Sequence, residues 1–143
     1  MTVLRRIHLI LGLLTIVAFV LTGQYMDRVH GHLGSMDPLP RMLFRSGHIY
    51  LLFSGLLNCL LGMTEMLKAD LWRKVVAGIG SLALLVTPAF FLIGFFREPW
   101  MEGLNRPFAR LAIYLSLAGV IFHLLAHTTF SSRRMEKQRG VTS

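Results

Sequence analysis

The chain has 143 residues, of which 54% are hydrophobic and 15% are charged, and its mean hydropathy is +0.59. These values lie outside the range of ordinary soluble domains. A formal charge of +8 would suggest nucleic acid as a partner of a soluble protein. Here the Lys and Arg residues flank apolar segments instead of forming a basic face, so no nucleic-acid partner is expected. The composition indicates an integral membrane protein.

Four apolar segments each approach the roughly 20 residues that a helix needs to cross a hydrocarbon core of about 30 Å. They cover about residues 7–26, 44–66, 75–96 and 108–130. The short connections predict that consecutive helices are antiparallel neighbours in an all-α, four-helix transmembrane bundle. A single membrane domain, residues 1–143, leaves no length for a soluble catalytic domain.

The first segment follows Arg5 and Arg6, as the apolar part of a secretory signal peptide would. It is long for such a signal and no small-residue cleavage site follows it, so an uncleaved first helix is expected. Small and polar residues recur along it at intervals of three and four, which predicts one buried face. That face contains His8, Gly12, Thr15, Phe19, Thr22 and Met26.

Residues 27–43 interrupt the hydrophobicity and are rich in glycine and proline, which predicts a long outer loop. The loop carries His30 and His32, with His48 and several methionines nearby. Imidazoles and thioethers are ligands that suit a soft ion such as Cu(I). The alternative is that loop histidines and membrane methionines bind nothing.

The second segment places glycines and polar residues on one face, a pattern typical of close helix packing. The residues are Gly47, Ser54, Asn58, Gly62 and Glu65. Asn58 lies near the middle of the segment and is expected to hydrogen-bond to a neighbouring helix. The single cysteine, Cys59, excludes an intramolecular disulfide. In the third segment Pro88 removes a backbone donor, so the freed carbonyl needs a partner from elsewhere.

The fourth segment carries His123 and His127, about 40° apart on a helix. Small and polar residues share their side, namely Ala112, Ser116, Gly119 and Ala126. Ionisable side chains within a membrane helix are costly and mark a candidate functional site. Beyond this segment, residues 131–143 form a basic, polar tail that is expected to be disordered and attracted to anionic lipid.

The basic residues predict the orientation of the chain in the membrane. Nine Lys and Arg residues fall on the side of the termini and six on the other side, so both termini are expected in the cytoplasm. The protein is accordingly assigned to a cytoplasmic membrane, the inner membrane of a bacterium.

Three classes of function remain open. The first is a haem b-binding electron-transfer protein or subunit, in which histidines on the first and fourth helices, His8 with His123 or His127, form one site, with Gly12 and Gly119 leaving space for the macrocycle. This layout is similar in general arrangement to small four-helix b-type cytochromes, without a family motif.

A metal-handling protein would instead use the outer cluster of His30, His32 and His48 or an inner set that adds Glu65 to the haem-site histidines. The third class has no cofactor: an accessory or scaffold protein in which the histidines hydrogen-bond across helices. Other membrane subunits or a second copy of the chain are the partners that such a protein would have.

Overall fold

The computed structural model describes the backbone of residues 3–64 and 70–139, and the side chains of these residues except 32 and 127–139. This part of the chain contains four long helices: α1, Val3–His30; α2, Pro38–Met63; α3, Leu71–Arg97; and α4, Pro107–Arg139. Each is long and apolar enough to cross a membrane, α4 through its segment Pro107–Ala126. The prediction of an all-helical chain with four candidate membrane spans is confirmed.

The outer loop is shorter than the predicted range 27–43. Helix α1 continues to His30 and ends where Gly31 adopts a positive φ of 52°, a conformation that glycine adopts readily. Helix α2 starts at Pro38, because a proline in the first turn lacks only an N–H that has no helical partner there. The sequence interpretation read this proline as a breaker, whereas it begins the helix.

Two further predictions on helix boundaries are corrected. Helix α3 begins at Leu71, earlier than the predicted residue 75, runs through Pro88 and ends at Arg97, where a 3₁₀ turn, Glu98–Trp100, follows. The backbone of α4 remains helical to Arg139, so most of the predicted disordered tail, residues 131–143, continues the helix.

The helices associate mainly as two pairs, α1 with α2 and α3 with α4, and α2 packs against α3 to join them. Residues near the start of α1 contact residues near the end of α2: a Cβ on Gly62 would lie 2.7 Å from the backbone nitrogen of Leu9. In the second pair, a Cβ on Gly80 would lie 2.9 Å from the carbonyl oxygen of Gly119. Glycine therefore sets the helix separation in both pairs.

Large apolar side chains are exposed on every helix, among them Leu14, Ile49, Leu82 and Leu117. The predicted small and polar faces point inward instead. Buried positions on these faces are His8, Gly12, Thr15 and Thr22 in α1, Gly47, Ser54, Asn58 and Gly62 in α2, and Ala112, Ser116 and Ala126 in α4. Small and polar residues in the interior, beside a core that includes Phe44, Phe91 and Phe95, together with an apolar surface, fit a helix bundle surrounded by lipid.

Candidate functional site

The most buried polar contact joins α1 to α2. His8 is 2% exposed and Asn58 is fully buried, and His8 Nδ1 lies 2.7 Å from Asn58 Oδ1. The first turns of α1 place His8 on its small and polar face, opposite the last turns of α2. The amide that was expected to join helices therefore does so, and its partner is one of the candidate site histidines.

The same amide also reaches α3. Asn58 Nδ2 donates to the carbonyl oxygen of Ser54 at 3.0 Å and to that of Leu84 at 3.2 Å. Leu84 lies four residues before Pro88, so its carbonyl is the one that loses its helical donor to the proline. Asn58 thus supplies the hydrogen bond that Pro88 removes and connects three helices.

The hydrogen bonds of Asn58 determine the tautomer of His8. Because both amide hydrogens are directed at carbonyls, Asn58 Oδ1 is the acceptor and His8 Nδ1–H must donate to it. Nε2 of a neutral His8 then carries a lone pair, and among the described residues this buried nitrogen has no hydrogen-bond partner. The imidazole is oriented by one nitrogen and unsatisfied at the other.

A second polar contact joins α3 to α4. Ser81 Oγ and His123 Nε2 are hydrogen-bonded at 3.1 Å, and Ser81 is 1% exposed. Ser81 lies one turn before Leu84 on α3, so along the helix axis this contact is within about one turn of the hydrogen bond from Asn58 to Leu84. We call His8, Asn58, Ser81 and His123 the polar layer.

The structure gives the two histidines of the predicted shared site different partners. His8 bonds to α2 and His123 bonds to α3, and α1 and α4 share no substantial packing among the described residues. The side chain of His127, the third predicted ligand, lies outside the described residues.

The space that was assigned to a macrocycle is filled by protein. A Cβ on Gly12 would lie 2.7 Å from the backbone nitrogen of Cys59 and 2.8 Å from the carbonyl oxygen of Gly55. A Cβ on Gly119 would lie 2.5 Å from Leu84 Cγ and 2.9 Å from the carbonyl oxygen of Gly80. These glycines allow neighbouring helices to approach closely, so they do not leave the space for a macrocycle that was assigned to them.

The two candidate metal ligands with described side chains, His48 and His30, have different neighbours. The His48 ring stacks on Phe19 with centroids 4.0 Å apart, and its Nδ1 lies 3.0 Å from Thr22 Oγ1. His30 lies about two turns after Thr22 on α1, and its ring packs against the rings of Tyr25, Phe44 and Trp100. The His32 side chain and all of Glu65 lie outside the described residues. Within the described part, no three His, Cys, Asp or Glu side chains are grouped to hold a metal ion.

Two arginines that were read only as orientation signals also link helices. Arg5 donates from Nε to the carbonyl oxygen of Gly62 at 3.3 Å and from a terminal nitrogen to that of Met63 at 3.1 Å. Arg73, 6% exposed, donates to the carbonyl oxygen of Ala126 on α4. A cation near the carbonyl end of a helix is favourable, and for Arg5 this end is that of α2.

A buried carboxylate, Glu98, was not identified from the sequence. It is 1% exposed, its Oε2 lies 3.0 Å from Arg106 Nε, and its Oε1 accepts from the backbone N–H of Ala109 at 2.7 Å. Because Ala109 lies in the first turn of α4, its backbone N–H has no acceptor within the helix. Glu98 therefore caps α4 from the preceding 3₁₀ turn, although no sequence motif announces the contact.

Comparison with known proteins identifies no relative: no protein-family model matches the chain, and neither a curated protein nor a solved structure is significantly similar to it.

Proposed function

We propose that this chain is a small accessory or scaffold protein of the membrane, in which the buried histidines stabilise helix packing. The observation that carries the proposal is the polar layer, where each histidine is paired with a polar side chain of a neighbouring helix. The glycines beside it bring backbones into contact instead of opening a cavity. Cross-helix hydrogen bonds and close glycine contacts are the interactions by which membrane helices associate.

A rigid bundle with apolar outer faces would act through those faces. Exposed leucines, isoleucines and valines cover all four helices, so lipid, other membrane subunits or a second copy of the chain are the partners that its surface fits. The antiparallel arrangement of neighbouring helices belongs to this proposal. Its support is the contact of the start of α1 with the end of α2, as in the bonds from Arg5 to Gly62 and Met63.

A haem-binding redox protein is the second candidate, on one specific observation. His8 Nε2 is buried, carries a lone pair and has no partner among the described residues, and a neutral imidazole nitrogen oriented through its other nitrogen is a good iron ligand. The packing around Gly12 does not favour this candidate, because the neighbouring volume is occupied.

The visible absorption spectrum of protein purified from haem-replete cells separates the two candidates. The scaffold proposal expects a colourless protein in which His8→Ala and His123→Ala each lower the free energy of unfolding by about 1 to 3 kcal/mol, because each leaves a buried polar partner unpaired. Gln24→Ala, at an exposed position of α1, is the control and should have no effect.

A Soret band that disappears in His8→Ala would overturn the scaffold proposal in favour of haem b. Unchanged stability in both histidine variants would contradict the structural role assigned to the polar layer.

We further propose that both termini are cytoplasmic and that the membrane is a bacterial inner membrane, on the nine-to-six distribution of basic residues. Reporter fusions test this orientation. A reporter that requires the periplasm should be inactive after Ser143 and active when inserted at Ser35. The opposite pattern would reverse the orientation.

A further inference from the structure

A pocket on the outer side of α2 combines fixed positive charge with apolar surface. It has a volume of about 390 Å³ and lies at the start of the helix. Its lining consists of Pro38, Arg41, Met42, Arg45, Ser46 and Ile49. None of the described residues that line it is acidic. The nearest acidic residue in sequence, Asp37, makes no ion pair within the described part of the chain.

The two arginines differ in how they are held. A terminal nitrogen of Arg41 donates to the carbonyl oxygen of Gly34 at 3.3 Å and to that of Met36 at 2.5 Å. These bonds to the preceding loop fix the guanidinium in one place. Arg45 is exposed and makes no hydrogen bond or ion pair with a described residue. The Ser46 hydroxyl donates to the carbonyl oxygen of Leu43 at 3.1 Å, so the arginines supply the donors of the pocket.

Arg41 and Arg45 are spaced so that their charges repel each other, which favours binding of an anion between them. Residues four apart on a helix are neighbours about 5 to 6 Å apart, and two like charges in this relation are destabilising. Arg41 and Arg45 have this spacing, and Arg45 has no acidic partner in the described residues. An anion between the two guanidinium groups would relieve the repulsion, and phosphate matches the planar donors of arginine.

The surface beyond the pocket indicates what carries the phosphate. Exposed apolar side chains continue down the same face of α2, namely Ile49, Phe53, Leu56 and Leu60, each between 52% and 59% exposed. At 1.5 Å per residue, Arg45 to Leu56 spans about 16 Å, close to half of a hydrocarbon core of about 30 Å. The cationic pocket is therefore followed along α2 by an exposed apolar surface whose length matches the thickness of one leaflet.

We propose that this pocket binds the phosphate of an anionic phospholipid, with one acyl chain lying along Ile49, Phe53 and Leu56. Arg41 supplies a pre-positioned cation and Arg45 an adjustable one. The inference is independent of the scaffold proposal, because it uses none of the residues of the polar layer.

Native mass spectrometry of the full chain, in micelles with equal amounts of phosphatidylglycerol and phosphatidylcholine of matched acyl chains, tests the site. The wild type should retain phosphatidylglycerol preferentially. Each of Arg41→Gln and Arg45→Gln should reduce that preference about fivefold, because each removes one of the two cations that line the pocket and would contact the phosphate of the retained lipid. The matched control is Arg28→Gln with Arg97→Gln, which removes two exposed arginines from the same end of the bundle and should change nothing.

Two outcomes would overturn the proposal. The first is an equal lipid preference in the wild type and in Arg45→Gln. This variant leaves the contacts of Arg41 with the loop intact, so a loss of lipid preference in it would not come from a disturbed loop. Displacement of the lipid by excess inorganic phosphate or by chain-free glycerophosphoglycerol would identify a site for free phosphate, because a lipid site depends on the acyl chain as well. An unchanged melting temperature of Arg45→Gln, whose side chain makes no hydrogen bond with a described residue, confirms that the fold of this variant is retained.

Discussion

The polar layer and the far end of the bundle are held together in opposite ways. In the polar layer short hydrogen bonds join the helices, and beside it small residues such as Gly12 and Gly80 bring backbones together. At the far end, Phe44 of α2 contacts Phe95 of α3 and Trp100 with ring centroids 5.2 Å and 5.9 Å apart. We call these rings, with Tyr25 of α1, the aromatic cluster.

The difference is the one expected of helices surrounded by lipid. Lipid is as apolar as leucine, so burial of apolar surface alone gives helices little reason to associate. At the polar layer, close approach of the helices stabilises their association instead, because dispersion forces and hydrogen bonds act at short range. At the far end, large rings form many contacts without close backbone approach, and the carboxylate of Glu98, in the same 3₁₀ turn as Trp100, is buried with both of its oxygens paired.

The largest expected effect lies beside the aromatic cluster, at the Glu98 cap. Glu98→Ala should lower the free energy of unfolding by about 3 kcal/mol, because it leaves the Ala109 N–H and Arg106 without their buried acceptor. Denaturant titration in micelles measures this. Glu102→Ala removes an exposed carboxylate from the same connection and should change little. Equal stability of the two variants would deny Glu98 its capping role.

The next effect tests the polar layer through the amide and the proline. Asn58→Leu should cost about 2 kcal/mol, since the Leu84 carbonyl and His8 lose their partner. In a Pro88→Ala background the helix regains a donor for that carbonyl, so the same substitution should cost about 1 kcal/mol less. A double-mutant cycle measures this coupling. Strict additivity would show that Asn58 does not compensate for the proline.

Close helix packing beside the polar layer predicts a smaller effect. Gly80→Ala should cost at least about 1 kcal/mol, because its Cβ would lie 2.9 Å from the Gly119 carbonyl oxygen and the helices would have to separate. Gly78→Ala in the same helix is the matched control, since its Cβ meets no atom within 4 Å. It should be neutral or slightly stabilising. Thermal unfolding of both variants decides whether helix separation matters.

The smallest expected effect concerns copper in the outer loop. The His30 ring packs against Tyr25 and Phe44, and within the described residues no cluster of ligands surrounds it. Replacing both His30 and His32 by Ala should therefore leave the Cu(I) affinity unchanged. Competition titration against a colorimetric Cu(I) chelator measures it. A clear loss of affinity would restore the loop as a metal site.

Much of the candidate site could be predicted from the sequence, because helix periodicity is a local property. Intervals of three and four placed His8, Thr15 and Thr22 on one face, and these residues are buried. The same reasoning identified Asn58 as an amide that must find a partner, and Pro88 as the cause of a freed carbonyl. It did not pair the two, because the level and rotation of α2 against α3 are not encoded in either segment alone.

Hydrophobicity and helix periodicity depend on neighbouring residues, so the four long apolar segments, their inward faces and the need for polar pairing within them could be predicted directly from the chain. Which helices share those faces depends on the packing of the whole bundle. In that packing His8 hydrogen-bonds to α2 and His123 to α3, and atoms of neighbouring helices lie close to Gly12 and Gly119. Glu98 accepts a hydrogen bond from the start of α4. Each of these outcomes depends on the relative placement of whole helices, in which side chains distant in sequence compete for the same partners.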